Sequence, residues 1–235
     1  ELHMKKIGFI GAYDKTDLII YVAKILQSLG KEILVIDATE NQKARYIIPK
    51  MTPTVKDVTD FEGIDIAVGF SKIEEIKEYL GLAVEQDLAY DIMIIDTDNP
   101  KNFKTYQMET AELNYFVTCF DAYSLKKGLE VFGNLEETIN LKKVLFSREM
   151  LKEEDDYLNY LSSAYKIKWD ENRLYFPIEN GDLSYIYENH RVEKIRLKYI
   201  SVQFKDGLDN IASEILGNKK GGEARRIIKM LEKGE

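Results

Sequence analysis

Histidine, cysteine and proline are scarce in this 235-residue chain, which holds two histidines, one cysteine and four prolines. The single cysteine, Cys119, excludes a disulfide framework, and with His190 the one histidine beyond position 3 it excludes His/Cys zinc sites and Cys–His dyads. That scarcity suits a reducing cytosol. No apolar run approaches the ~20 residues that span a bilayer, and no charged-then-apolar signal segment opens the chain. Positive charge is also short: 33 Lys+Arg against 41 Asp+Glu leave a net charge of −8, a poor balance for wrapping nucleic acid. The opening Glu1-Leu2-His3-Met4 reads as a cloning scar over residues 1–3 followed by a native start at Met4.

What is present is an alternation of two hydrophobic periods. Residues 6–10 form a short apolar run, a turn follows at 11–15, and Leu18, Ile19, Val22, Ile25 and Leu26 recur at helical spacing until Gly30. Residues 31–39 (KEILVIDAT) have an apolar, β-branched centre without alternation, as expected of a parallel strand buried on both faces. The same grammar predicts a strand at 63–70, a helix at 72–80, strands at 91–96 and 114–120, a helix at 125–135 and a strand at 143–147. An acidic, tyrosine-rich helix at 153–165, a strand at 174–178 and a helix at 204–216 complete the series. Such alternation predicts an α/β fold, a three-layer sandwich whose mostly parallel central sheet is flanked by helices, over residues 4–217. Residues 218–235 are expected to be a glycine linker and a detached, basic amphipathic C-terminal helix. Helical winding puts Ala224, Ile227, Ile228, Met230 and Leu231 on one side and Arg225, Arg226, Lys229 and Lys233 on the other.

In open α/β folds the first strand-to-helix loop is the usual phosphate cradle. Here it runs Phe9-Ile10-Gly11-Ala12-Tyr13-Asp14-Lys15-Thr16. A P-loop, G-x-x-x-x-G-K-[ST], needs glycine before its lysine so that backbone N–H groups converge on phosphate oxygens. This loop keeps Lys15 and Thr16, lacks both glycines, and puts the carboxylate of Asp14 where an anion should sit.

The chain resembles the MinD/ParA class of P-loop ATPases, particularly its divergent TadZ/CpaE-type members that position pilus and secretion machinery. The resemblance covers most of residues 5–217 and is carried by IGFIGAYDKTD (7–17), VID (35–37), YDIMIIDTD (90–98), FVTCFDAYSLKKG (116–128) and, distally, FPIENGD (176–182). It implies a P-loop NTPase-like fold in which Gly11, Lys15, Thr16, Asp37 and Asp96 bind the nucleotide and Thr16 and Asp96 hold Mg. The family's interface-crossing lysine falls on Ile10, the glycine before its second lysine on Asp14, and its hydrolytic aspartate on Thr39. Three working parts are thus missing together. The expectation is a degenerate Walker A motif with a weak ATP and Mg site at most and no catalytic residue. The resemblance then implies a cytoplasmic homodimer that serves as a localisation or scaffold factor for a membrane-associated pilus, secretion or conjugation assembly, peripheral at the inner face of the membrane. The alternative is an active ATP-dependent dimerisation switch of the ParA partitioning type, with DNA or membrane partners.

Each of these residues also has a plainer reading. Asp14 would N-cap the helix that Lys15 and Thr16 begin, and Asp37 and Asp96 would cap the following loops or ion-pair with Lys15. Cys119 reads as core and His190 as surface, and the tyrosines from Tyr157 to Tyr187 as the aromatic edges of a core. Arg225, Arg226, Ile227, Ile228, Lys229 and Leu231 would form a membrane or partner face, similar to the C-terminal targeting helix of MinD, or a helix packed on its own domain. Lys194, Arg196 and Lys198 are a candidate DNA patch with the tail. A dinucleotide-dependent enzyme is the third class, resting on Gly8, Gly11 and Asp37, but the full G-x-G-x-x-G is absent.

Overall fold

The computed structural model describes residues 3–49, 55–149, 152–178, 180–217 and 221–234. In chain order the elements are β1 (Lys5–Ile10), α1 (Thr16–Ser28), β2 (Ile33–Ala38), α2 (Ala44–Ile47), β3 (Asp57–Phe61), β4 (Ile64–Val68), α3 (Ile73–Tyr79), β5 (Ile92–Thr97), α4 (Pro100–Thr105) and β6 (Leu113–Thr118). There follow α5 (Ala122–Leu129), β7 (Ile139–Ser147), α6 (Lys152–Ser162), β8 (Ile167–Pro177), α7 (Asn180–Val192), α8 (Val202–Leu216) and α9 (Glu223–Lys233). One eight-stranded sheet has the order β3-β4-β2-β5-β1-β6-β7-β8, parallel throughout except for the β3–β4 hairpin. The expected three-layer α/β sandwich is therefore the observed one.

The unalternating strands sit where that pattern requires. Every residue of β2 and β5 is buried, because helices cover both faces of the central strands. On one face α1, α8 and α9 pack on Phe9, Val35, Ile94 and Val144; on the other α3, α4, α5 and α6 pack on Leu34, Ile95, Phe116 and Leu145. The loops at the carboxyl ends of β1, β2 and β5 meet where the chain reverses its winding direction, with β1 hydrogen-bonded to both β5 and β6.

Several elements differ from the sequence expectation. Strand β3 was not anticipated; its signal is local, a two-residue turn in which Glu62 (φ +52°) and Gly63 (φ +86°) are both left-handed, the geometry of a type I′ hairpin. Gly63 takes this left-handed conformation without a Cβ penalty. β8 spans 11 residues rather than the short strand at 174–178, and α7 was not expected as a helix at all, its apolar pattern being broken by tyrosine and polar residues.

The C-terminal helix is a further correction: α9 is docked, not detached. Ala224, Ile227 and Ile228 are buried against α1 and α8 in the same core that lies under α1. Arg225 pairs with Asp206 (2.6 Å) and Asp209 (3.0 Å), and Lys205 pairs with Glu232 (2.5 Å). The reason is that α1 and α8 leave apolar surface uncovered, and covering it with a ready apolar stripe removes more hydrocarbon from water than a solvated helix would. Of the expected linker, residues 218–220 lie outside the described residues.

Candidate functional site

The loop after β1 is anchored before it can form a cradle. Gly11 donates its N–H to the Thr97 carbonyl (3.1 Å), and a Cβ on Gly11, at φ +144°, would come within 2.3 Å of the Val117 carbonyl oxygen. Gly11 thus serves close approach of backbone to β6, a local demand independent of any ligand. Asp14 accepts the Thr16 N–H at 3.1 Å and forms an ion pair with Lys43 in the β2–α2 connection. Its plain reading holds in kind: the side chain satisfies a donor of the first turn, although Lys15 occupies the N-cap position.

Lys15 points inward. Its side chain is buried, donates to the Gly11 carbonyl at 2.6 Å and lies 2.8 Å from Asp96 Oδ1. Asp96 is buried as well, beside Asp37 in the β2–β5 register. Burial pushes the Asp96 carboxyl up to about 6, with the charges of Asp37 and Asp98 adding to the rise and Lys15 opposing it. Asp37 is fully engaged: Oδ1 accepts from the Thr39 N–H (3.0 Å) and hydroxyl (2.6 Å), and Oδ2 accepts the Ala44 N–H (3.0 Å). Thr16 is buried.

The structure therefore brings Gly11, Lys15, Thr16, Asp37 and Asp96 together, but around one another. The space they leave, lined by Gly11, Asp14, Lys15, Thr39 and Asp98, is about 100 Å³, whereas sites for cofactor-sized ligands run about 300–1,000 Å³. Its ammonium groups face more carboxylates than they neutralise, Lys15 and Lys43 against Asp14, Asp96 and Asp98, so an incoming polyphosphate meets net like charge. In this arrangement Lys15 is committed to Asp96 and the Gly11 carbonyl rather than turned to the open space. Among the described residues no group of three or more His, Cys, Asp or Glu side chains is placed to hold a metal.

Sequence reasoning missed the strap of contacts along the rim of this space. Lys43 lies 29 residues from Asp14, and Asp98 accepts the Glu40 N–H at 3.1 Å from a distant strand end. Gln42, left-handed at φ +51°, donates to the Asp37 (2.6 Å) and Thr39 (2.8 Å) carbonyls and accepts the Gly69 N–H (2.6 Å). These contacts join four connections, those after β1, β2, β4 and β5, so no single stretch of sequence carries them.

The remaining candidates are structural. Cys119 is in the core as expected; burial raises its thiol pKa, and it donates to Asp121 (2.7 Å). The Asp121 carboxyl, hydrogen-bonded by Cys119 and Ser124, is held at about 2 and caps α5. His190 is not simply a surface residue: its ring is three-quarters buried and meets Asp17 Oδ1 at 2.6 Å, tying α7 to the first turn of α1. Of the basic patch, Arg196 pairs with Glu188 (3.1 Å) and Lys194 lies 4.0 Å from Glu62, while Lys198 lies over the Tyr199 ring. The tyrosines are not all core edges: Tyr157, Tyr160 and Tyr187 are exposed.

No protein-family model and no curated protein sequence matches the chain. Solved structures do. The ParA family ATPase of Chlorobium tepidum TLS superposes with a TM-score of 0.55 at 13% identity, covering 98% of this chain and 98% of that one. A chain of the MinC:MinD cell division protein complex of Aquifex aeolicus gives 0.58 at 18% identity over 93% of this chain and 100% of that one. A putative plasmid partition protein of Borrelia burgdorferi B31, solved bound to AMPPNP, gives 0.52 at 12% identity over 91% and 98%. The chain has the ParA/MinD fold, and identities this low speak for the fold alone.

Proposed function

We propose that this chain is a pseudo-ATPase on the ParA/MinD fold, a dimeric, TadZ/CpaE-like localisation factor that recruits a membrane-associated assembly rather than turning over ATP. The observation that carries this reading is the inward Lys15. In a working P-loop the lysine is held for phosphate; here Asp96 and the Gly11 carbonyl already hold it, and Asp14, in place of glycine, is tied to Lys43. Binding ATP would require breaking a buried ion pair and the strap above it together. Peripheral membrane placement then rests on protein partners, because the apolar side of α9 (Ile227, Ile228) is engaged by α1 and α8. Among the described residues no helix is long and apolar enough to cross a membrane.

Sedimentation velocity with and without Mg-ATP, combined with phosphate release, tests the proposal. The expected outcome is one ATP-insensitive profile and turnover no greater than that of Lys15→Ala. The second reading, an ATP-dependent switch, is favoured by the survival of Lys15, Thr16 and Asp96 in one place. An ATP-shifted profile or turnover abolished by Lys15→Ala would establish it instead.

A further inference from the structure

Two helices on opposite layers turn matching faces outward. α6 directs Asp155, Leu158 and Ser162 inward and presents Glu153, Asp156, Tyr157 and Tyr160, with Tyr160 73% exposed. α9 directs Ala224, Ile227 and Ile228 inward and presents Arg226, Lys229, Met230 and Lys233. Both outward sets follow the i, i+3, i+4, i+7 spacing of a single helical face. One is two acids and two tyrosines; the other is three bases and a methionine. Among the described residues, Glu153 and Asp156 of α6 and Arg226, Lys229 and Lys233 of α9 enter no ion pair within the chain, so these outward charges are left for another surface. Lys152, in the first turn of α6, is offset to one side of the acids. The two faces cannot meet within one molecule, because Leu158 belongs to the core on one side of the sheet and Ile227 and Ile228 to the core on the other.

We propose that the acidic, aromatic face of α6 docks on the basic face of α9 of a second copy of this chain. With the helices running in opposite directions, Glu153 meets Lys233, Asp156 meets Lys229, Tyr157 meets the Met230 sulfur and Tyr160 meets Arg226, combining ion pairs with sulfur–aromatic and cation–π contact. The surfaces differ from each other and point opposite ways, so the contact does not close on two copies; it repeats into an open chain or a ring. The net charge of −8 repels copies at long range, and the attraction is local, acting within a Debye length of ~10 Å at 0.1 M salt. A single helix-on-helix contact is smaller than the ~800 Å² per partner of a stable complex. Assembly therefore sets in at high concentration, as suits a scaffold gathered at one place in the cell.

The test is sedimentation velocity of the full chain from about 5 to about 200 μM, in about 50 mM and about 500 mM salt. Wild-type protein is expected to sediment progressively faster with concentration at low salt, growing beyond the dimer of the proposed function, and to lose this further growth at high salt. Glu153→Lys with Asp156→Lys, and separately Lys229→Glu with Lys233→Glu, should each raise the concentration needed for assembly at least about tenfold. An equimolar mixture of the two variants should assemble again, since each reversed face now meets its complement. All four positions are exposed, and unchanged circular dichroism shows that the fold is kept. A concentration-independent mass, growth that stops at the dimer, variants that sediment as wild type, or a mixture no better than its components would each overturn the proposal, and growth that stops at the dimer would leave the dimeric reading standing.

Discussion

The molecule contains two buried lysine–aspartate pairs of nearly equal length, and their surroundings are opposite. Lys143 lies 2.7 Å from Asp155, and both are buried between β7 and α6. Lys143 also donates to Asn159 (2.5 Å) and sits 5.0 Å from the Trp169 ring centre, while the second oxygen of Asp155 takes Arg173 (2.5 Å). Every charge there has partners, and a cation outnumbers the anion. Lys15 and Asp96, 2.8 Å apart, have the reverse: burial pushes the carboxyl up to about 6 against the pull of Lys15, and the charges of Asp37 and Asp98 add to the rise. A satisfied network is architecture. The pair with surplus like charge lies instead at the switch point of the sheet, and it is what supports the reading of a lost nucleotide site proposed above.

Breaking the two pairs should separate these roles. The largest effect is expected from Asp155→Ala, which leaves Lys143 buried without its counter-ion and should cost about 3–5 kcal/mol in urea unfolding. Next comes Asp96→Asn, read against pH. The Asp96 carboxyl is raised from 3.8 to about 6 on folding, so between those values the folded state holds the extra proton and stability falls as pH rises. The variant lacks this titration; the stability of wild type minus variant should therefore decline by about 2–3 kcal/mol from pH 4 to pH 7. A flat difference would mean that Asp96 is held ionised, as a satisfied pair would be. Lys15→Met should cost less than Asp155→Ala, about 1–2 kcal/mol near pH 7, because the remaining carboxyl escapes its burial cost by taking up a proton. The smallest effect is expected for Lys43→Ala: its pair with Asp14 is over 40% exposed on both sides, so about 0.5 kcal/mol or less is at stake.

The sheet and most of its order of elements were legible because their causes are local. The unbroken apolar centres of β2 and β5 and the helical spacing of α1 are written in consecutive residues. What escaped depends on contacts between distant segments. Nothing in the sequence of α9 distinguishes a stripe for a membrane from one for α1 and α8; the choice is made by the groove those helices leave. The candidate site was legible as a list, since Gly11, Lys15, Thr16, Asp37 and Asp96 do converge. Its state was not, because the direction taken by Lys15 is set by Asp96, 81 positions away, and the strap along the rim by Lys43 and Asp98. His190 escaped for the same reason, its acid partner being 173 residues distant on α1.

The most direct test of a closed nucleotide loop is calorimetric titration of Mg-ATP into the purified wild-type protein, with Lys15→Ala alongside. The Lys15–Asp96 pair predicts no saturable heat in either protein. Saturable binding by wild type that is lost in Lys15→Ala would contradict the account, showing that the lysine leaves Asp96 for phosphate and that the loop is a working cradle.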